Sequence, residues 1–128
     1  MIRTVTALRR GPGKDFLVLG RMLKPATVNG IQMMEWSHEG RQHRVPSVFH
    51  AAWQAPDGRF GIVLANWTTE KQAVIIKDTR LPGTKAGDAI VLHTADRVLR
   101  VSPLPGEEGH RAVELARLSC ALIEVTAV

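Results

Sequence analysis

The residues best suited to chemistry in this chain do not form a recognisable set. His38 and His43 stand five apart, with Glu39 beside them. A zinc site needs three or four ligands converging at about 2 Å. No Cys joins this pair, and Gly40 and Arg41 lie between, so the segment reads as a solvated hairpin tip. His50 and His93 fall within apolar runs and read as structural histidines with their hydrogen bonds satisfied. Glu107-Glu108 offers two adjacent carboxylates, but in a Pro- and Gly-rich stretch that would not hold them at a fixed separation. No Gly-x-Ser-x-Gly elbow supports a nucleophilic serine. Gly11-Pro12-Gly13-Lys14 lacks the spacing of a phosphate loop and the Ser or Thr after its Lys. No motif implies a metal or a cofactor.

Two further groups carry possible binding chemistry. Asn66-Trp67-Thr68 is a formal glycosylation sequon. At the end of an apolar run, its Asn is better suited to bonding local backbone and closing a turn. Trp36, Trp53 and Trp67 are candidates for a sugar-stacking platform, since indole rings pack on the apolar faces of pyranose rings. The competing reading places them in the core or at an interface. Phe49, Ala51 and Trp53 share one strand face by alternation, and His50 and Ala52 share the other.

The elements that must position these residues are strands. Val48 to Trp53 and Phe60 to Ala65 flank Ala55-Pro56-Asp57-Gly58-Arg59, and Asp-Gly between hydrophobic runs marks a hairpin. Further strands are predicted over 16–23, 28–36, 71–76, 89–93, 97–101, 111–115 and 119–125. Residues 78–88 and 103–109 are predicted loops. About eight or nine short strands separated by turn clusters indicate an all-β, two-sheet antiparallel β-sandwich. The apolar run 60–66 is expected at the centre and 97–101 near an edge. Ile2, Val5 and Leu8 recur at spacing three, which suits a short N-terminal helix with one apolar stripe, stopped by Gly11-Pro12-Gly13, while Thr4-Val5-Thr6 leaves an extended tail as the alternative. A tail over 1–13 and a sandwich domain over 14–128 follow.

Composition bounds the rest. The chain has 128 residues, 45% of them hydrophobic and 23% charged, which suits one globular domain. No apolar run approaches the ~20 residues that cross a bilayer as a helix. The single Cys120 excludes an internal disulfide. The net charge of +5 comes from 17 Lys and Arg against 12 Asp and Glu. Basic residues crowd the N-terminal fifth and are scattered elsewhere. With three Trp, three Phe and no Tyr, the chain has no row of stacking platforms for bases. A basic nucleic-acid-binding barrel is therefore disfavoured.

The order Asp15 to Pro25, then Val45-Pro46-Ser47-Val48, then Trp53 to Arg59, then Leu64-Ala65-Asn66-Trp67-Thr68 resembles the C-terminal β-sandwich of bacterial glycoside-hydrolase-like proteins. The resemblance covers roughly residues 3 to 125 and is sharpest at Gly20-Arg21-Met22 with Pro25, and at Asp57-Gly58 with Ala65-Asn66-Trp67. It implies a non-catalytic accessory domain beside a (β/α)8 barrel that carries the catalytic carboxylates. On that resemblance residues 1–10 are expected to be the remnant of the barrel's last helix, and Met1 before it marks a fragment or a truncated gene. Ile2, Val5 and Leu8 then become interface candidates. The partners implied are a barrel domain or a second copy of the chain, with carbohydrate contact as a further property. A carbohydrate-binding module is the competing reading.

Overall fold

The computed structural model describes the backbone of residues 2–78, 89–94, 98–100, 103–104 and 107–126, and side chains within 5–78, 90–94 and 111–125. Helices α1 (Ile2–Arg10) and α2 (Lys14–Leu17) come first. The strands are β1 (Arg21–Leu23), β2 (Thr27–Asn29), β3 (Met33–His38), β4 (Arg41–Pro46), β5 (Val48–Gln54), β6 (Phe60–Asn66), β7 (Gln72–Lys77), β8 (Ala89–His93), β9 (Val98–Arg100), β10 (Pro103–Leu104), β11 (Glu107–Leu115) and β12 (Ser119–Thr126). They form a six-stranded sheet in the order β1-β5-β6-β12-β8-β9, a four-stranded sheet β10-β11-β7-β2, and the hairpin β3-β4. All pairings are antiparallel.

The expected sandwich is present. Ile62, Leu64, Ile90, Leu92, Ala121 and Ile123 of the larger sheet meet Val74, Ile76, Val113 and Leu115 of the smaller one in a shared core. The run 60–66 lies centrally, between β5 and β12, and β9 is an edge strand. The β5–β6 hairpin closes through two bonds: Ala55 N–H donates to Arg59 O and Gly58 N–H to Ala55 O, both at 2.9 Å. Gly58 takes φ +93°, the left-handed conformation that glycine adopts without steric cost.

The larger sheet is apolar on both faces. Its outer face, away from the smaller sheet, holds Val63, Ala65, Cys120 and Leu122, which pack with Trp53, Ala55, Leu8 of α1 and Phe16 of α2. Gly61 makes room for the Phe16 ring. A Cβ added at Gly61 would meet two Phe16 ring carbons at 2.8 Å. A glycine inside a strand often marks such a close approach.

The structure departs from the sequence expectations in several places. Residues 16–23 are not one strand. Leu17 N–H donates to Gly13 O at 2.7 Å and Val18 N–H to Lys14 O at 3.0 Å, giving a helical turn before β1. Burial of Phe16 on the sheet outweighs the β preference of the Phe-Leu-Val run. The segment 28–36 splits at Gly30, which has φ +88°, and 41–46 forms a strand of its own. Glu107-Glu108 lie in β11 rather than in a loop, because β10 pairs with that strand across an irregular register. These changes raise the described strands from about nine to twelve. Most of the predicted 78–88 loop lies outside the described residues.

The packing at Gly61 is directly testable. Gly61→Ala should lower stability by about 1–3 kcal/mol, the usual range for forcing extra atoms into a packed site. Urea unfolding would measure it. A change within about 0.3 kcal/mol would contradict the described seat of Phe16.

Candidate functional site

Two clusters gather polar or aromatic groups. The first is centred on Arg59, at the end of the β5–β6 turn. Its guanidinium donates to Asp57 Oδ2 at 2.7 Å, to Asp15 Oδ2 at 2.5 Å and to Glu124 Oε1. His93 Nε2 lies 2.8 Å from the other Glu124 oxygen. The guanidinium carbon also sits 5.5 Å from the Phe16 ring centre. Alternation along β12 and β8 puts Glu124 and His93 on the outer sheet face, while Asp15 comes from α2.

Each charge in this cluster is occupied by a neighbour. Burial works against the Arg59 cation, but its hydrogen bonds to the Glu124, Asp15 and Asp57 carboxylates outweigh it and hold the guanidinium firmly charged. Asp57 is held below the usual carboxylate range, first by the Arg59 backbone N–H and then by its side chain. The open groove nearby is lined by Leu19, Gly20, Arg21, Gln54, Ala55, Pro56 and Gly58, not by Glu124 or His93. The arrangement clasps α2 and the hairpin turn to β12. Sequence reading missed it because its members are far apart in the chain and carry no motif.

The second cluster is aromatic. The β3–β4 turn places Glu39 and Gly40 at φ +52° and +75°, the paired left-handed geometry of a two-residue hairpin. That register sets Trp36 opposite His43, and the rings stack with centres 5.3 Å apart and planes at 22°. Trp67 approaches Trp36 edge-on, at 6.3 Å and 64°. The Trp67 indole N–H donates to Pro46 O at 2.6 Å.

The structure thus brings together two of the three tryptophans. Trp53 lies instead on the outer sheet face, against the cluster of Leu8, Phe16 and Leu122. His38 and His43 are both exposed, with His38 Nε2 lying 3.8 Å from Glu39 Oε1. Among the described residues, no three His, Cys, Asp or Glu side chains gather as a metal site. No helix among them is long and apolar enough to cross a membrane. Leu8 is 1% exposed and belongs to the chain's own core, whereas Val5 is partly exposed. The Ile2 side chain lies outside those described. His50 is not the satisfied histidine expected, because its buried Nδ1 has no hydrogen-bond partner among the described residues.

The sequon has a structural role. Asn66 is 0% exposed, so its amide is closed to modification in the folded state. Nδ2 donates to Glu70 O at 2.8 Å and to Ala116 O at 3.0 Å. Oδ1 accepts from Thr68 N–H at 3.0 Å. One side chain thereby joins the turn after β6 to the turn between β11 and β12.

No family model matches the chain, and no curated protein matches it. Solved structures do. The GH51 arabinofuranosidase from Xanthomonas axonopodis pv. citri is 19% identical with a TM-score of 0.46, over 74% of this chain and 22% of that one. The catalytic domain of GH30 xylanase C from Talaromyces cellulolyticus is 13% identical with a TM-score of 0.43, over 67% and 20%. The chain therefore spans about a fifth of the length of each.

Two outcomes are expected. Asn66→Ala should cost about 2–4 kcal/mol in denaturant unfolding, because it strands several buried partners at once; a loss under about 0.5 kcal/mol would contradict the network. His50 is held below its ordinary value of 6.5 by burial. The unfolded chain therefore binds a proton first as pH falls, and stability declines below about pH 6.5. His50→Gln should reduce the slope of melting temperature against pH between about 6.5 and 5. An unchanged slope would remove His50 from that account.

Proposed function

We propose that this chain is a non-catalytic accessory β-sandwich that associates through the outer face of its six-stranded sheet. Its natural partner is a (β/α)8-barrel domain. A second copy of the chain takes that place when the barrel is absent. One observation carries the reading: α1 and α2 cover only part of that outer face. Met22 is 64% and Phe49 50% exposed, and Trp53, Ala51, Val63 and Ala65 lie between them partly buried. The register aligns Met22 with Trp53, Phe49 with Ala65 and Ala51 with Val63, so these side chains share one face. A contiguous apolar patch of this kind usually marks an interaction surface. Val5 of α1 is a further exposed apolar group on the element that partly covers this face.

The absence of catalysis has support of a different kind. The carboxylates of Asp15 and Glu124 are bound to Arg59, so neither is placed to give or take a proton at an open cleft. The resemblance to accessory domains of carbohydrate-active enzymes supports the same conclusion.

Light scattering on the purified chain should show a dimer that dissociates on dilution. Phe49→Asp and Met22→Asp, at exposed positions that leave the core intact, should weaken it at least about tenfold. A strictly monomeric chain at millimolar concentration would overturn the association. Release of p-nitrophenol from aryl glycosides, lost on Glu124→Gln or His43→Ala, would overturn the non-catalytic reading.

A further inference from the structure

The β3–β4 hairpin pairs with neither large sheet, and most of its residues are exposed. A lone two-stranded ribbon has little stability of its own in water. A few contacts pin this one. At its base, Ser47 N–H donates to Gln32 O at 2.7 Å, and Gln32 N–H donates to Ser47 Oγ at 3.2 Å. Further out, Trp36 lies against His43 and Trp67. The hairpin therefore presents a prearranged surface rather than a loose arm.

The register determines what that surface offers. Trp36 faces His43, and His38 faces Arg41, so these four side chains share one face of the ribbon. Trp36 keeps 45% of its surface in solvent although His43 covers one side. The two indoles meet at 64°, which makes an aromatic corner. The register places His38, His43 and Arg41 on the same face, with the Glu39 carboxylate 3.8 Å from His38 Nε2 at the turn. The opposite face is electrically balanced, with Arg44 Nε 3.3 Å from Glu35 Oε1. Arg41 has no carboxylate partner among the described residues.

We propose that this face of the hairpin binds an acidic oligosaccharide, with a pyranose ring on Trp36 and the carboxylate of a uronate on Arg41. Each half of the ligand answers one half of the surface. The C–H groups on one side of a pyranose make an apolar plate that packs on an indole, and the flanking hydroxyls accept hydrogen bonds from the surrounding donors. Trp36 and Arg41 are diagonal positions on one face of the ribbon, a separation of about 7 Å, close to the width of one sugar ring with its carboxylate. Arg is suited to the anion because its planar fork pairs with a carboxylate through two parallel N–H bonds. This inference is independent of the association proposed for the outer sheet face.

Tryptophan fluorescence and calorimetric titrations with trigalacturonate and with a glucuronate-substituted xylotriose test it. Fully methyl-esterified trigalacturonate is the neutral control. At least one acidic sugar should saturate the chain with a Kd of about 1 mM or below. The ester should bind at least about fivefold more weakly than the free acid. Trp36→Ala should raise the Kd at least about tenfold. Arg41→Gln should weaken the acid and leave acid and ester alike. Both positions are exposed, and unchanged melting temperatures would show that the variants fold. Phe49→Asp should leave the titration unaltered, which separates this result from the dimerisation result. No saturation by either acidic sugar at about 10 mM, an unchanged Kd in Trp36→Ala, or equal binding of acid and ester would overturn the proposal.

Discussion

The structure depends on one constraint: the central sheet carries buried apolar side chains on both faces, and each face needs a cover over them. Along β6 the side chains alternate Ile62 and Leu64 to one side, Val63 and Ala65 to the other. The inner side is closed by the four-stranded sheet. The outer side is closed over β12 by α1 and α2, with Leu8 and Phe16 as the buried contacts. The remaining polar arrangements serve that closure. Gly61 clears a seat for Phe16, and Arg59 lies over the same ring while joining Asp15 to Glu124. Gly20 permits the chain to turn from α2 into β1, since a Cβ there would meet Phe16 O and Gln54 O at 2.5 and 2.6 Å.

Much of this was legible from residue order, for reasons that can be named. Period-two alternation and the Asp-Gly pair identify the central hairpin, because strand pleat and positive φ leave local marks. The turn role of Asn66 was also legible, since an Asn at the end of an apolar strand has few other uses. The α2 turn was not, because it is held by Phe16 meeting a sheet formed from residues far along the chain. The Arg59 cluster was invisible for the same reason: Asp15, Arg59, His93 and Glu124 meet only after the sheet has assembled. Strand β10 depends on pairing with β11 and has little pattern of its own. The three tryptophans looked equivalent in the sequence. Register separates them, sending Trp36 and Trp67 to the hairpin and Trp53 to the outer sheet face.

Function follows from what closure leaves uncovered. The inner core is sealed, and the Arg59 guanidinium is taken up by the three carboxylates around it. The strip from Met22 to Phe49 and the Trp36 face of the hairpin remain facing solvent, one apolar and the other aromatic with basic neighbours. Neither resembles a reaction centre, and each suits association.

Native-state hydrogen exchange tests the central claim most directly. If α1 closes the outer face of the sheet, the amides in the second half of that helix, around Leu8, exchange far more slowly than an unstructured peptide, with a denaturant dependence approaching that of β6 and β12. Exchange of those amides at unprotected rates, while β6 and β12 stay protected, would show a sheet that stands without its helical cover and would contradict the account.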